Sequence, residues 1–346
     1  MEETMEKIDF VLTWVDSSDL VWLAEKRKWE ALSKADSNAY DDANADCRFR
    51  SDDVLLRYWF RGVEKFAPWV NRIHFVTCGQ KPEWLDENHP KLNLVNHNDY
   101  IPSEYLPTFN SNVIELNYHR INELSEQFVL FNDDMFLTRS LCPEFFFHNG
   151  SPVMDTNLGY TKKVGFNNWS RLVFNDYCVV NKCFNIKESI LNNRRKWFSI
   201  RELGFKRAIR NRMCYLANRT LPVGLYGHIA LPHLKSTLQE LWDLHPEIMD
   251  QSSSHKFRSD DQVNQWLLCA WNQAKGQFYP TRDDKLGINY SISPDNVEEV
   301  CDAIRTQSIP QICINDTKKN TDNEYCMKRV AEAFDVILPD KSVFEK

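Results

Sequence analysis

The sequence predicts an α/β fold whose core is a Rossmann-like parallel sheet. Three apolar runs have the composition of buried strands, Ile8–Asp16, Ile73–Thr77 and Gln127–Phe131. Residues 51–66 lie between the first two runs and carry apolar side chains at helical spacing. A strand, a helix and a strand in that order favour parallel pairing. The 346 residues, 42% hydrophobic and 26% charged, are enough for one large domain with an insertion or for two domains.

The first strand and the helix after it are the best-defined of these elements. Ile8–Asp16 leads into the polar turn Ser17–Asp19, which is suited to meet a ligand at the carboxyl end of a strand. In the helix, one face is apolar and another carries Arg57 and Arg61; the apolar face consists of Leu55, Leu56, Trp59, Phe60 and Val63. The second strand runs into Cys78, Gly79 and Gln80.

The third strand ends in a pair of carboxylates. Gln127–Phe131 is followed directly by Asn132, Asp133 and Asp134. Short carboxylates at a strand end can hold Mg²⁺ or Mn²⁺ and leave coordination positions open for the oxygens of a diphosphate. An Asn-Asp-Asp sequence also makes an ordinary turn, so these residues alone leave both interpretations open.

The net charge of −7 is distributed unevenly along the chain. Residues 156–220 contain 14 Lys and Arg against three acids, a net charge of +11 that leaves −18 for the rest. Within this segment an apolar stripe is predicted on a basic helix, consisting of Trp197, Ile200, Ile209, Met213 and Leu216. Such a helix suits an anionic membrane surface or a polyanionic chain, but an ordinary solvated surface helix explains it equally well. No aromatic-rich platform accompanies the charge, so nucleic acid is not an expected partner.

Composition also favours an intracellular location. No stretch approaches the roughly 20 apolar residues of a membrane-spanning helix, and residues 1–7 are acidic without an apolar signal core. The ten cysteines are scattered without a Cys-x-x-Cys pair, as expected for core residues and free thiols in a reducing compartment. We expect a cytoplasmic protein that works peripherally at the inner face of the membrane.

Several ordered blocks of sequence resemble the Stealth family of sugar-1-phosphate transferases. This family contains bacterial capsule phosphotransferases and the catalytic subunit of the enzyme that begins the mannose-6-phosphate tag on lysosomal hydrolases. The resemblance is carried, in order, by residues 9–16, 56–70, 79–85, 106–134, 232–233, 255–258, 312–316 and 338–345. Residues 156–220 match least. The usual pattern is altered at Ser17, Leu55 and Cys78.

The resemblance implies an activity and an architecture. The reaction would transfer hexose or N-acetylhexosamine 1-phosphate from a UDP-sugar to a hydroxyl of a saccharide acceptor, which forms a phosphodiester and releases UMP. The fold would be a glycosyltransferase-A-type core built from residues 1–155 and 221–346. Residues 156–220 would be an inserted, mainly helical basic lobe that contacts the acceptor, itself polyanionic if phosphodiester-linked, or the membrane.

The resemblance also assigns roles to particular residues. The implied catalytic residues are Asp134, His233, Arg258 and Glu115. The implied donor-binding residues are Thr13, Trp14, Val15, Asp16, Arg57 and Gln80. The implied ligands of Mg²⁺ or Mn²⁺ are Asp133, Asp134 and Asp316.

Several of these residues have a second interpretation. His228 competes with His233 for the role of base on the acceptor hydroxyl. Glu115 also fits a helix capping box that begins at Asn112. Arg258 is otherwise a surface residue paired with Asp260 or Asp261, and Trp14 is otherwise a core residue.

Two other functions fit the same sequence less well. A metal-dependent glycosyltransferase would use the same donor but release UDP. A non-catalytic protein that binds polyanions or membranes would keep the fold and turn nothing over.

Overall fold

The structure is a computed structural model that describes residues 6–33, 54–159, 169–217, 223–224, 227–315 and 322–346. The strands, in chain order from β1 to β13, are Ile8–Thr13, Ile73–Thr77, Leu92–Asn96, Gln127–Asn132, Met135–Leu137, Phe147–His148, Ser151–Asp155, Leu158–Gly159, Val223–Gly224, Leu231–Leu234, Tyr279–Thr281, Ile288–Ser291 and Gln311–Asn315.

Helices pack around these strands. From α1 to α14 they are Leu20–Ser33, Val54–Phe66, His97–Tyr100, Ser111–Leu116, Trp169–Cys183, Ile186–Asn192, Arg194–Trp197, Ile200–Ala217, Lys235–Leu244, Pro246–Ser254, Trp266–Lys275, Asp283–Leu286, Val297–Arg305 and Asn323–Ile337. Short 3-10 turns are formed by Ser103–Tyr105, Tyr118–Arg120 and Pro143–Phe145.

The central sheet has the strand order β10-β4-β1-β2-β3. The pairs β1–β2, β1–β4 and β2–β3 are parallel, and β10 runs antiparallel to β4. With the first strand in the middle and the chain winding outward on both sides, the sheet confirms the prediction of a Rossmann-like α/β core. Thr13 is level with Asn132, so β1 and β4 end at the same edge of the sheet.

Both faces of the sheet are covered, and alternate residues of β1 point to opposite faces. Phe10 and Leu12 belong to the core formed with α2, α13 and α14. Val11 belongs to the core formed with α5, α9 and α11. The apolar face predicted for α2 is buried as expected, with Trp59 and Phe60 among the largest fully buried side chains.

The first strand is shorter than predicted. β1 ends at Thr13 rather than at Asp16, because the chain leaves the sheet at Trp14. Gln80 holds the departing segment: its Oε1 accepts from the backbone N of Asp16 at 2.7 Å, and its Nε2 donates to the Asp16 carbonyl at 2.9 Å. Residues 14–16 therefore form a loop at the edge of the sheet.

A small sheet of order β12-β13-β5 brings a late part of the chain, β13, close to Asp133 and Asp134 at the end of β4. The backbone N of Ile314 donates to the Asp134 carbonyl at 2.8 Å, so β13 lies against the turn between β4 and β5. The last helix packs on α2, where Tyr58 donates to Asp335 at 2.9 Å and the Arg61 Nε donates to Glu345 at 2.7 Å. Early and late parts of the sequence thus share one core.

Of the basic segment 156–220, the structure describes residues 156–159, which include β8, and residues 169–217, which form the helices α5 to α8. Val173 and Trp197 are buried in the core that also contains residues of α11 and β4. The division of the chain into a catalytic domain and an inserted lobe stays a prediction. None of the described helices has the length and apolar composition that crossing a bilayer requires.

Candidate active site

A cavity of about 180 Å³ opens where β1 and β4 end. Six of the residues predicted for the site line it, namely Thr13, Trp14, Val15, Asp133, Asp134 and Arg258. His228, Asn132, Asn315 and Ser111 line it as well. We refer to it as the donor cavity. Because it lies at the carboxyl ends of parallel strands, it occupies the position where ligands bind in open α/β sheets.

Thr13 and Trp14, which form the part of the cavity wall that follows β1, are each held by a contact with another residue. The Thr13 hydroxyl and the Tyr118 hydroxyl are hydrogen-bonded to each other. The Trp14 ring stacks on Phe75 at a centroid distance of 5.8 Å, so Trp14 belongs to the core and also borders the cavity. Asp16 and Gln80 do not line the cavity but set the course of the loop that does.

Asp134 lies close to a histidine on the cavity wall. Its Oδ2 is 3.6 Å from the Nε2 of His228. Burial alone would lower the pKa of His228, but the contact with Asp134 and its negative charge outweigh burial and raise that pKa above its ordinary value. The two side chains therefore form a close pair on the cavity wall, in which the carboxylate stabilises the protonated imidazole relative to the neutral one.

The structure distinguishes the two histidines that the sequence left open. His228 precedes β10 and lines the cavity. His233 lies within β10, has no exposed surface, and contacts the Phe128 ring of β4 at a centroid distance of 5.7 Å. Burial lowers the pKa of His233 to about 4. The expected catalytic role of His233 is not supported, because the strand pairing places its ring inside the core.

Arg258 supplies the positive charge of the cavity. Its Nη2 donates to the Ser111 hydroxyl at 2.6 Å. The alternative partner Asp261 is instead 3.2 Å from His255 and accepts a hydrogen bond from Ser259 at 2.5 Å. The guanidinium thus reaches Ser111 on the cavity wall, while Asp261 contacts His255 and Ser259.

Glu115 lies behind this arginine at the end of α4 and is buried. Burial raises the pKa of Glu115 to about 7, although the positive charges of Arg258 and His228 oppose the shift. The capping-box interpretation is wrong, because α4 is capped by Asn110, whose side chain accepts from the Asn112 backbone N at 3.1 Å. A cap at Asn110 leaves the carboxylate of Glu115 beyond the reach of a capping box.

Arg57 does not lie at the donor cavity. Its guanidinium is 5.0 Å from the centroid of the Trp84 ring and 3.9 Å from Glu345. The arginine therefore joins α2 to Trp84 and the C-terminal segment. A donor-binding role is not supported by this position.

Oxygen ligands for a divalent cation converge at the cavity. Asp133, Asp134 and Asn315 offer carboxylate and amide oxygens, which fit the preference of Mg²⁺ and Mn²⁺ for hard donors. Asp134, His228 and Cys313 each offer one ligand atom, and these three atoms lie within 4.8 Å of one another. The Cys313 sulfur, however, does not suit Mg²⁺. Asp316, the third predicted ligand, lies outside the described residues; Asn315 is the last residue described before it.

Some residues of the site were not anticipated. Ser111, Tyr118 and Asn315 lie at or beside the cavity, yet each is an ordinary polar residue in the sequence. Ser111 and Asn315 fall within or next to the blocks that carry the family resemblance, which was the available signal. Cys313 also falls within the resembling block 312–316, but a single cysteine in an apolar run gave no signal of its own.

Two family models match parts of this chain. Residues 6–34 match the family model of conserved region 1 of Stealth proteins, and residues 48–154 match that of conserved region 2. Both regions contribute to the donor cavity, the first through Thr13–Val15 and the second through Ser111 and Asp133–Asp134.

Two solved structures are distantly similar. One is the galactosyltransferase LgtC in complex with donor and acceptor sugar analogs, with a TM-score of 0.40 and 11% identity over 97% of this chain and 96% of that chain. The other is the glycosyltransferase GlyE of Streptococcus pneumoniae, with a TM-score of 0.42 and 10% identity over 96% of this chain and 62% of that chain.

Sequence relatives are much closer. The capsular polysaccharide phosphotransferase WcwK of Streptococcus pneumoniae is 40% identical over 99% of this chain and 100% of the relative. The receptor polysaccharide phosphotransferase WefC of Streptococcus gordonii is 39% identical over 99% of both chains. The exopolysaccharide phosphotransferase cps2G of Lactiplantibacillus plantarum is 33% identical over 98% of this chain and 96% of the relative. With such identity over nearly its whole length, the chain belongs to the Stealth family of transferases.

Proposed function

We propose that this phosphotransferase moves hexose or N-acetylhexosamine 1-phosphate from a UDP-sugar to a hydroxyl of a saccharide acceptor. The product is a phosphodiester, the nucleotide released is UMP, and the reaction serves capsular or cell-surface polysaccharide synthesis. The observation that carries the proposal is the meeting of Arg258 with Asp133 and Asp134 in one cavity at the edge of a parallel sheet. The names of the relatives, phosphotransferases of capsular, receptor and exopolysaccharides, support the same reaction class.

The reaction is a substitution at the phosphorus that carries the sugar. The acceptor oxygen forms the new bond to this phosphorus, the phosphoanhydride bond to the UMP portion breaks, and the bond between the anomeric carbon and its oxygen stays intact. Because that bond is not broken, the anomeric configuration of the donor is retained. Catalysis of such a step depends on positioning and on stabilisation of the phosphoryl charge.

Arg258 fits the role of phosphate clamp. A guanidinium can bind two phosphate oxygens in one plane, and the hydrogen bond to Ser111 holds it at the cavity. Mg²⁺ or Mn²⁺ held by Asp133, Asp134 and Asn315 would neutralise the diphosphate charge. We also include Asp316 among the proposed ligands, since it follows Asn315 directly.

His228 fits the role of proton acceptor for the attacking hydroxyl. Its imidazole borders the cavity, and the carboxylate of Asp134 at 3.6 Å stabilises the imidazolium that the transfer creates. Glu115, buried behind Arg258, is proposed to orient that arginine or to accept a sugar hydroxyl. Thr13, Trp14 and Val15 are proposed to contact the donor, and Asp16 and Gln80 to hold their loop.

We also propose that the enzyme works in the cytoplasm against the anionic inner face of the membrane through α8. Phe205, Ile209, Met213 and Leu216 are spaced to share one side of this helix, and they are exposed by 64%, 41%, 63% and 70%. Ile200 precedes them and is also exposed, whereas Trp197 of the predicted stripe is buried.

The charge on α8 suits that surface, because Arg210 and Arg212 flank the apolar residues. An apolar stripe bordered by cations favours the boundary between headgroups and acyl chains. Co-sedimentation with vesicles of phosphatidylglycerol and phosphatidylcholine tests this: a Met213→Gln, Leu216→Gln double variant should lose most of the binding. Equal binding by this variant would contradict the assignment, as would binding to soluble polyanions but not to vesicles.

The nucleotide product tests the reaction. Protein, Mg²⁺, a UDP-sugar panel and an oligosaccharide acceptor are incubated, and products are identified by mass. UMP together with an acceptor enlarged by a sugar phosphate is expected. UDP together with an acceptor enlarged by the sugar alone would replace the proposal by glycosyl transfer, and no turnover with any donor would favour a binding protein.

A further inference from the structure

A second cavity of about 350 Å³ is also bordered by His228. It shares this histidine with the donor cavity, so one residue lines both spaces. Apolar side chains form much of its wall, including Met154, Ile229 and Leu286. Its polar groups include carboxylates from two elements, Asp155 at the end of β7 and Asp283 in α12.

The carboxylates of this second cavity are only partly neutralised. Arg207 donates to Asp155 Oδ1 at 3.1 Å and to Asp283 at 2.7 Å, and the backbone N of Asp283 also donates to Asp155 Oδ1 at 3.1 Å. No hydrogen bond from the described residues reaches Asp155 Oδ2. Burial, followed by the charge of Asp283, raises the pKa of Asp155 to about 7, against the effect of Arg207.

The two cavities therefore suit different ligands. Arg258 and the cation ligands make the donor cavity suitable for a diphosphate. Asp155, Asp283 and Asp284 make the second cavity unfavourable for phosphate, since like charges repel. A carboxylate oxygen near apolar side chains is instead a good acceptor for the hydroxyl of a neutral sugar.

We propose that the second cavity binds the terminal, uncharged sugar of the saccharide acceptor and directs one of its hydroxyls to His228. This inference rests on the proposed function, because it requires a hydroxyl acceptor. Donor and acceptor then occupy two cavities that share His228 in their walls. The acceptor hydroxyl would thus lie beside the donor cavity, where the phosphoryl group is attacked.

The rest of the acceptor has a path to the surface. Asp283 and Asp284 also border a shallow depression formed by residues 203–207 and Arg282. This depression lies at the start of α8, next to the exposed Phe205. A saccharide whose end occupies the second cavity can therefore run toward the helix that we assign to the membrane surface.

Filling the cavity tests the proposal. Ile288 lines it from an edge strand and is 39% exposed, so Ile288→Trp adds bulk with little disturbance of the core. Lys285→Trp is the matched control, because Lys285 is exposed on the neighbouring α12 and does not line the cavity. A second variant, Asp283→Ala, removes a polar contact without adding bulk.

Acceptor and donor are measured separately. The acceptor KM is determined with a panel of p-nitrophenyl hexosides and N-acetylhexosaminides. Donor affinity is measured by calorimetry with the UDP-sugar, and donor binding also shows that each variant is folded. We expect Ile288→Trp to raise the acceptor KM at least tenfold and Asp283→Ala severalfold, with donor affinity changed less than twofold. Lys285→Trp should match the unmodified protein in both.

The outcomes separate this inference from the proposed function. Release of UDP in place of UMP would refute phosphoryl transfer but would leave the acceptor KM of the variants as a valid test of the cavity. An unchanged acceptor KM in both cavity variants would overturn the cavity assignment even if UMP is released. Failure of every neutral glycoside to bind or react, while a phosphorylated glycoside does so, would also overturn it.

Discussion

His228 and His233 belong to one short stretch of chain, yet they lie in opposite surroundings. His228 stands at the edge of the central sheet, 3.6 Å from a carboxylate, and borders two cavities. His233 lies within β10 and is buried beside Phe128 of β4. The pKa of the first is raised by Asp134 despite burial, and the pKa of the second is lowered to about 4 by burial. The proposed chemistry therefore involves the histidine at the cavities, and the buried histidine contributes to packing.

The largest expected effect contrasts the two histidines directly. His228→Gln should lower kcat by about 10²- to 10⁴-fold, the usual contribution of a positioned general base. His233→Gln should change kcat by less than about threefold, because its ring touches no cavity. Initial rates of UMP release at saturating donor and acceptor measure both. A larger loss for His233→Gln than for His228→Gln, with both variants folded, would reverse the comparison.

Two arginines sharpen the same contrast between the edge and the rest of the molecule. Arg258→Lys keeps the charge but removes the planar pair of donors, so we expect kcat/KM for the UDP-sugar to fall about 100-fold. Arg57→Lys is the matched control, since Arg57 contacts Trp84 and not the donor cavity. Its kcat/KM should stay within about twofold. Equal losses in both variants would argue against a phosphate clamp at Arg258.

The pH dependence of stability tests whether His233 is buried as a neutral group. The folded-state pKa of His233, about 4, lies below the ordinary value of 6.5, so the unfolded chain binds more protons between these values. Its stabilising contribution is thus complete above pH 6.5 and is lost as the pH falls toward 4. His233→Leu should reduce the slope of stability against pH in this window by about 1.4 kcal/mol per pH unit.

Urea unfolding at pH 6.0 and pH 5.0, both inside this window, measures this slope. His97 and His119 are buried with their pKa values also lowered to about 4, so the variant should retain part of the acid sensitivity. A slope identical to that of the unmodified protein would show that His233 is not the buried neutral group described here.

The smallest effect concerns the loop beside the donor. Gln80→Glu keeps an acceptor for the Asp16 backbone N but loses the donor to the Asp16 carbonyl and to Asp19. The loop of Thr13–Val15 should loosen, and the KM for the UDP-sugar should rise about threefold to tenfold with kcat little changed. A fall in kcat without any change in KM would indicate that Gln80 acts on the reaction itself.

The sequence predicts three of the five strands of the central sheet, β1, β2 and β4, because they are short apolar runs and a strongly amphipathic helix separates the first two. Burial on both faces explains why Ile73–Thr77 appears as a continuous apolar segment, and β2 has the predicted bounds. The end of β1 was missed because Trp14 and Val15 are as apolar as the strand, and only a distant side chain, Gln80, turns the backbone there.

The site is only partly readable from the sequence. Asp133, Asp134 and Arg258 follow from chemistry and family resemblance, and they meet in the donor cavity. His228 could not be chosen over His233, because the choice depends on which residue the antiparallel pairing with β4 buries. Arg57 matches a family block but faces the C-terminal segment, a packing relation that no local pattern encodes. Asp316 remains a prediction.

The hydrogen bond between Arg258 and Ser111 joins residues 147 positions apart, and Ile314 reaches the Asp134 carbonyl across a still longer loop. Closing such loops costs chain entropy before any contact repays it, and contacts of this separation slow folding. The donor cavity should therefore form late, after the sheet and its helices have assembled. A nucleotide sugar should then slow unfolding of the folded protein but should not accelerate refolding of the unfolded chain, because no binding site exists before these last contacts form.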